Sequence, residues 1–329
     1  MSVGKQPYIF ERREKMIFWN KKKRKKRKTS SQKPIIQPSK KSSTLERKPY
    51  TPPQRKSPEN HSTKNIDIPP KKTKNFSSKF VKSPPDPNKE FLNTFEKLTS
   101  ERHRPWDIWK DFIIMTACTI SNAEDKSHYE EREKRYLSII KKYNKNEQEI
   151  FPELLADTVM ALEENPEQDF LGEMYMTLEL GYGKLQQMFT PYHVCQLMSS
   201  ITIGNIAKQV EEQGYITLND SCCGAGATLI AGIHEIRKKL EKERLNFQNH
   251  VLVSGQDIEE VVALMCYIQL SLLGVAAYIK VGNSLTEPMS ENDSTENYWF
   301  TPIYFSDVWT MRRTIKKFNQ IMKGEESKK

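Results

Sequence analysis

The residue types in this chain that most suggest ligand chemistry are concentrated between Ile216 and Ile230, in the stretch ITLNDSCCGAGATLI. A carboxylate, Asp220, precedes a run of small residues that contains two thiols and the glycines Gly224 and Gly226. Glycines allow a tight turn and a close approach of the backbone to a ligand, and a following helix offers free N–H groups to an anion. The stretch therefore predicts either a ligand-binding loop or an ordinary tight turn between a strand and a helix.

Polar side chains also follow the next two predicted strands. An apolar run from Val251 predicts a second strand, which ends close to Asp257, and residues 276–281 predict a third, which is followed by Asn283. An acidic residue at the end of the second strand is the usual partner of ribose hydroxyls in nucleotide-binding folds. Asp220, Asp257 and Asn283 therefore each follow one of the three predicted strands.

Upstream of the glycines lies the segment Phe189-Thr190-Pro191. Thr190 is predicted to cap a helix that begins at Pro191, because Thr is a favoured cap and Pro a favoured first helical residue. Along the chain the order is Phe-Thr-Pro, Asp-x-x-Cys-Gly-x-Gly, Gly-Gln-Asp-Ile and Gly-Asn-Ser-Leu. With the preceding DFLGEMY, this order resembles the modification subunits of type I restriction systems and related N6-adenine DNA methyltransferases. The resemblance covers residues 169–285.

The resemblance implies a binding site for S-adenosylmethionine. The residues that would hold this cofactor are Phe189, Thr190, Asp220, Gly224, Gly226, Asp257 and Asn283. In such a site Asp220 would lie near the methionine ammonium group, and Asp257 would accept hydrogen bonds from the ribose hydroxyls. Asn283 stands where the family usually has Asp beside the adenine, and its amide can still accept a hydrogen bond.

The catalytic motif of the family, Asn, Asp or Ser followed by Pro-Pro and an aromatic residue, is missing from this sequence. In the family it accepts hydrogen bonds from the target amine and stacks a ring on the flipped base. The nearest candidate is a degenerate version in which Thr301, Pro302 and Tyr304 would be catalytic, with Ile303 in place of the second proline. The alternative is that residues 298–305 form only an aromatic strand or loop.

Two functions remain open. The first is an S-adenosylmethionine-dependent N6-adenine DNA methyltransferase, which methylates DNA weakly or with a partner subunit that supplies the missing motif. The second is a non-catalytic accessory protein, derived from such an enzyme, that binds S-adenosylmethionine or DNA. The stretch after Tyr304 contains no recognisable target-recognition region.

The predicted fold class is α/β, a partial Rossmann-like methyltransferase domain preceded by a helical region and a disordered basic tail. Alternating strands and helices predict a parallel sheet in which right-handed crossovers place the first strand centrally. Residues 261–279 are apolar enough to resemble a membrane span, but Gln269 interrupts them and Gly274 marks a helix end, so no membrane segment is predicted. An incomplete sheet exposes an edge strand, so a partner subunit or a homo-oligomer is expected.

Composition divides the chain into a tail (1–88), a helical region (89–200) and the partial methyltransferase domain (201–329). Residues 1–90 contain 26 Lys and Arg against 7 Asp and Glu, whereas the remaining residues contain 26 against 35. The basicity therefore belongs to the tail, and it does not show that the folded part binds nucleic acid. The tail is too polar and too rich in proline to bury a core, so it is predicted to be disordered.

Within the tail an unbroken basic run, residues 21–28, begins at Lys21 and ends at Lys28. One interpretation is a non-specific contact to DNA phosphates that salt would weaken. An equally weighted alternative is a solubilising tail with no dedicated partner, and an acidic membrane surface is a less favoured third.

The five cysteines form no C-x-x-C pair, and no export signal is recognised, which predicts a reduced, cytoplasmic protein. No clustering of metal ligands is visible in the sequence. Cys223 is expected to be a small buried residue before the first motif glycine rather than a nucleophile. The tryptophans of the helical region are expected in the core, with a base-stacking platform as the alternative.

Overall fold

The computed structural model describes residues 86–99, 102–180, 188–291 and 293–326. All of these residues fall within one compact unit. The predicted tail, including the basic run 21–28, lies outside the described residues except for its last few positions.

The first part of the described chain is helical, as predicted. Its helices are α1 (Pro87–Glu96), α2 (Pro105–Glu124), α3 (Tyr129–Ile140), α4 (Lys145–Glu164), α5 (Phe170–Thr177), α6 (Tyr192–Thr202) and α7 (Ala207–Gln213). Trp109 is completely buried and meets Phe91 and Phe95 edge to face, so it is a core residue. Trp106, by contrast, is 36% exposed and lies edge-on to Tyr175.

The second part alternates strands and helices. Its elements are β1 (Ile216–Asp220), α8 (Ala227–Lys242), α9 (Phe247–His250), β2 (Val251–Asp257), α10 (Glu260–Leu272), β3 (Ala276–Val281), β4 (Tyr298–Phe300), a 3-10 helix (Pro302–Phe305) and α11 (Asp307–Glu326). The sheet order is β1-β2-β3-β4, with β1, β2 and β3 parallel and β4 antiparallel to β3. The predicted α/β class and the three predicted parallel strands are confirmed.

The first strand lies at an edge of the described sheet, so the prediction that it is central is wrong. A central position needs a neighbour on the other side of β1, and among the described residues β1 pairs only with β2. The crossovers from β1 to β2 and from β2 to β3 step in the same direction. Right-handed crossovers that step one way place their helices on one face of the sheet, which here is the face of α8 and α10.

The face covered by α8 and α10 holds the core of the sheet. Val253 and Ile279 are completely buried there, and every residue from Val261 to Leu272 of α10 is buried as well. Helix α10 is thus a core helix packed between the sheet and α2, which explains its apolar sequence. No helix of the described ranges is long and apolar enough to cross a membrane.

Among the described residues, few cover the opposite face of the sheet. Thr217 and Asn219 of β1 are exposed on it. Towards the amino ends of the strands, Trp309 of α11 packs against Leu252 and Ala276. The two faces of the sheet therefore differ in their surroundings, and only one of them carries packed helices over its length.

Candidate functional site

The loop between β1 and α8, residues 221–226, has a backbone that depends on its glycines. Gly224 has φ +54° and Gly226 has φ +102°, values that side-chain-bearing residues rarely adopt. A Cβ atom on Gly226 would also stand 2.9 Å from Sγ of Cys266 in α10. Gly226 is therefore required both by the turn and by the packing of the loop on α10.

Carboxylates at the ends of β1 and β2 brace this loop. Asp220 accepts hydrogen bonds from the backbone N–H of Cys222 (3.0 Å) and from the hydroxyl of Thr228 (2.5 Å). Asp257 accepts from the backbone N–H of Gly224 at 2.9 Å. An ionised carboxylate offers about four acceptor positions, so both side chains keep the capacity to bind a ligand.

A cavity of about 270 Å³ lies above this loop at the carboxyl ends of β1 and β2. Its lining includes Phe189, Thr190, Asp220, Gly224 and Asp257. These are five of the seven residues that the sequence predicted to hold a cofactor. The structure therefore brings together side chains from three separate segments of the chain at one edge of the sheet.

The ring of Phe189 forms one wall of the cavity. Its Cδ1 atom lies 3.5 Å from the position that a Cβ atom of Gly224 would take, and its centroid is 5.2 Å from that of Tyr175. The prediction that Thr190 caps the next helix is wrong, because α6 begins at Tyr192 and has no side-chain cap. Pro191 is still extended (ψ 134°), so the helix starts later than predicted and the Thr190 hydroxyl is out of register with it.

Two predicted cofactor residues do not line the cavity. The Cα of Gly226 packs against Cys266 of α10, as described above. The side-chain oxygen of Asn283 accepts hydrogen bonds from the N–H groups of Leu285 (2.9 Å) and Thr286 (3.4 Å), so it closes the turn after β3. This turn nevertheless lies next to the glycine loop, since Sγ of Cys222 is 4.0 Å from the hydroxyl of Ser284.

The predicted catalytic residues Thr301, Pro302 and Tyr304 lie at the other end of the sheet. Because β4 runs antiparallel to β3, its end lies beside the beginning of β3, far from the strand ends that carry Asp220 and Asp257. Residues 298–305 form β4 and the 3-10 helix, which matches the alternative interpretation. A catalytic role for these residues stays a prediction.

The Thr301 side chain forms hydrogen bonds to the backbone of β3 and of the residue before it. It is completely buried, and its hydroxyl donates to the carbonyl of Val275 at 2.7 Å. The same oxygen accepts from the N–H of Ala277 at 2.8 Å. The hydroxyl therefore extends the pairing of β3 beyond the last residue of β4.

Asp169 and Gln269 belong to the site although they were not predicted there. The Gln269 amide, completely buried in α10, donates to Asp169 (2.7 Å) and to the carbonyl of Ala225 in the glycine loop (2.9 Å). Its oxygen accepts from the N–H of Leu171. Asp169 also lines the cavity, and burial raises the pKa of its carboxyl above the ordinary value.

Cys223 of the glycine loop is a buried residue, as predicted. Cys223 is buried, and its N–H donates to the carbonyl of Gln256 in β2. The five cysteines are all free thiols. Cys222 is exposed at the cavity mouth, whereas Cys266 lies fully buried beneath the loop.

A glycine turn between a strand and a helix, braced by carboxylates at the ends of neighbouring parallel strands, is an arrangement typical of nucleotide-binding α/β folds. Residues 166–329 match the model of a family described as N-6 DNA Methylase. The match covers about half of the chain, and the predicted resemblance to N6-adenine DNA methyltransferases is confirmed.

Two solved structures are similar to this chain. One is a modification subunit of a candidate type I restriction enzyme from Vibrio vulnificus, at 15% identity and a TM-score of 0.32, covering 44% of this chain and 30% of that one. The other is the type I restriction-modification system methyltransferase subunit from Streptococcus thermophilus, at 14% identity and a TM-score of 0.35, covering 64% and 60%. The chain thus spans less than two thirds of either structure. The comparison with curated proteins returns no match.

Proposed function

We propose that the cavity above the glycine loop binds S-adenosylmethionine, and that the chain takes part in methylating the exocyclic amine of adenine in DNA, weakly or with a partner subunit. The observation that carries the proposal is the convergence of Phe189, Thr190, Asp220, Gly224 and Asp257 on one cavity. The family of residues 166–329 supports the reaction class.

The side chains of the cavity suit the cofactor chemically. Asp220 and Asp257 are acceptor-only groups with unused capacity, as an ammonium group and a pair of ribose hydroxyls require. Gly224 carries no side chain between its backbone and the cavity, and the Phe189 ring adds an apolar wall. When bound, S-adenosylmethionine supplies an activated methyl group, and the role of these residues is to bind and orient it.

We propose a partner subunit because the described residues around the cavity include no turn whose side chain and carbonyl could accept hydrogen bonds from a target amine. Thr301 and Tyr304 lie at the opposite end of the sheet, and the sequence has no Pro-Pro-aromatic motif after an Asn, Asp or Ser. The same observation favours a second candidate, a non-catalytic accessory protein that binds S-adenosylmethionine or DNA. The cytoplasm remains the proposed location.

Calorimetric titration of S-adenosylmethionine into the full chain tests the cofactor site. We expect micromolar binding that Asp257→Ala abolishes, because a carboxylate acceptor and the brace of Gly224 are both lost. Asp257→Asn keeps an acceptor for Gly224 and should bind more weakly than the wild type but measurably. Glu211→Ala removes an exposed carboxylate from α7 and should bind normally. A folded wild-type chain that does not bind would contradict the proposal.

Transfer of a labelled methyl group to adenine-rich DNA separates the two candidates. The chain alone, the chain with a copurified partner subunit, and Asp220→Ala in both settings are compared. Transfer that the variant loses supports the methyltransferase. Binding of S-adenosylmethionine without transfer in either setting supports the accessory protein.

A further inference from the structure

A second cavity, of about 360 Å³, lies on the face of the sheet opposite α8 and α10. Its floor includes Leu252, Tyr278 and Phe300 from β2, β3 and β4. Its walls come from helix α11 and from residues 289–291, 293 and 295. It shares no lining residue with the cavity above the glycine loop. Because the two cavities share no lining residue, the second cavity is a separate site.

Aromatic rings dominate this second cavity. The rings of Tyr278, Phe300 and Tyr304 are each only partly buried, and their centroids lie 4.7 to 6.5 Å apart. Tyr215, also partly buried, lies on the far side beside Trp309. A partly buried aromatic ring in a concave site provides a surface on which a planar aromatic ligand can stack.

A cation without an anionic partner stands next to these rings. The guanidinium of Arg313 lies 3.9 Å from the centroid of the Tyr304 ring and donates to the Tyr304 carbonyl (2.7 Å) and the Thr310 hydroxyl (3.1 Å). No carboxylate of the described ranges pairs with it, in contrast to Arg132 and Arg135, which bind Asp125 and Glu260. Partial burial lowers the pKa of Arg313, which reflects the unfavourable desolvation of an unpaired charge.

The carboxylates in the same cavity are already neutralised. Asp293 accepts from Lys280 and from the Tyr298 hydroxyl, both at 2.6 Å. Glu291 accepts from Lys316 at 2.5 Å. The positive charges left available to a ligand are therefore those of Arg312, which donates to two backbone carbonyls, and of Arg313. The Arg313 guanidinium has more N–H groups than its two protein acceptors use.

We propose that this second cavity binds a nucleotide unit, with the base stacked on Tyr278 and edge-on to Tyr304, and the phosphate held by Arg313. Stacking on aromatic rings combined with a phosphate-binding arginine is the recognition chemistry of nucleotides and single-stranded nucleic acid. Either a free nucleotide or an unpaired nucleotide of a strand presents this chemistry. A fully paired duplex does not, because its bases are stacked within the helix.

Competition binding with the full chain distinguishes the sources. A fluorescent single strand of about ten nucleotides is titrated at about 0.5 M salt, which suppresses the non-specific contribution of the basic tail. Adenosine monophosphate, unlabelled single strand and duplex of the same sequence then serve as competitors. Displacement by the mononucleotide as well as the strand indicates a free-nucleotide site, displacement by the strand alone indicates a nucleic-acid site, and displacement by the duplex alone overturns the proposal.

Matched variants test the residues. Tyr278→Leu and Arg313→Gln should each weaken binding by about tenfold, because one removes a stacking ring and the other the phosphate ligand. Tyr278→Phe keeps the ring and should bind as the wild type does. Lys134→Gln removes an exposed charge from α3 and controls for the loss of net charge. Equal binding by all four folded variants would overturn the proposal.

Photocrosslinking gives a readout that does not depend on variants. 8-azidoadenosine monophosphate should label peptides that contain Tyr278 or Tyr304, and excess S-adenosylmethionine should not prevent the labelling. Label on the glycine loop 221–226, removed by S-adenosylmethionine, would place the nucleotide in the first cavity. That outcome overturns the second site and leaves the proposed function standing, whereas failure of S-adenosylmethionine to bind does not affect this assay.

Discussion

The two ends of the sheet are held together in different ways. At the carboxyl ends, several bonds that shape the glycine loop are local, such as those from Cys222 and Thr228 to Asp220. At the amino ends, the contacts join distant positions, such as the Arg312 guanidinium to the carbonyls of Gly214 and Asn249. Local bonds leave a pattern in a sequence, whereas distant contacts do not. The glycine turn itself was therefore predictable, but its bond to Gln269 and the contacts at the amino ends were not.

The largest effect on the difference between the two ends of the sheet is expected from a substitution of Gly226. Replacement by Ala forces a side chain into the left-handed region and places Cβ 2.9 Å from Sγ of Cys266. We expect a loss of about 3 kcal/mol in the free energy of unfolding, from backbone strain and overpacking together. Denaturant unfolding measures it.

The control for that prediction is another glycine of the same chain. Gly204 has nothing within 4 Å of its Cβ position, so Gly204→Ala should change the free energy of unfolding by less than about 0.5 kcal/mol. Similar losses for the two substitutions would mean that the glycine loop is not constrained as described.

A smaller effect is expected at the amino end, at Thr301. Thr301→Val keeps the shape of the side chain but leaves the Val275 carbonyl and the Ala277 N–H without their hydroxyl partner. We expect a loss of about 2 kcal/mol in denaturant unfolding, with unchanged binding of S-adenosylmethionine. Thr314→Val, at an exposed position of α11, should be close to neutral. Methyl transfer lost without any loss of stability would instead support the catalytic prediction for Thr301.

The smallest effect is a pH dependence at Asp169. Its pKa is raised in the folded state, so its contribution to stability is complete below the unfolded pKa of about 3.9 and is lost as the pH rises through the folded pKa. Asp169→Asn keeps the acceptor for Gly172 and Gln269 but does not ionise. The stability of the variant relative to the wild type should therefore increase over this pH range, by about 1.4 kcal/mol for each unit of pKa shift.

Unfolding at several pH values checks the prediction for Asp169. Asp107→Asn is the control, because Asp107 is exposed in the first turn of α2. A constant difference between Asp169→Asn and the wild type from pH 4 to pH 8 would show that the buried carboxyl is not destabilised by ionisation.

Much of the fold could be predicted because its signals are short-range. The strand that leads into Asp220, the glycines after it and the apolar helix from Ala227 lie within a single stretch, and the three parallel strands followed from β-branched and apolar runs. The edge position of β1 could not be predicted in this way. Strand order depends on which neighbours a strand finds along the whole chain, and a local pattern does not contain that information.

The candidate site was predicted in part for the same reason. Phe189, Thr190 and Asp257 line one cavity, although Thr190 does not cap its helix, and their contact with a cofactor stays a prediction. The side-chain oxygen of Asn283 closes the turn that follows it, and the place of this residue beside a cofactor stays a prediction. The role of Gln269 had a signal in the sequence, because a lone amide in an apolar helix indicates a buried polar partner. In the prediction, Gln269 served only to reject a membrane span.

The buried amide of Gln269 has a consequence for how the molecule opens. It is bonded at once to Asp169 and Leu171 before the sheet and to Ala225 in the glycine loop, so these segments share one hydrogen-bonding group that has no access to water. Releasing any one of them leaves a buried polar group unsatisfied, which couples their local unfolding into a single cooperative step. Dividing the chain at the predicted domain boundary between residues 200 and 201 would separate Asp169 and Leu171 from Gln269, to which both are hydrogen-bonded. Hydrogen exchange at the Leu171 amide should accordingly slow when a ligand binds to the glycine loop 221–226, although this loop lies far along the chain.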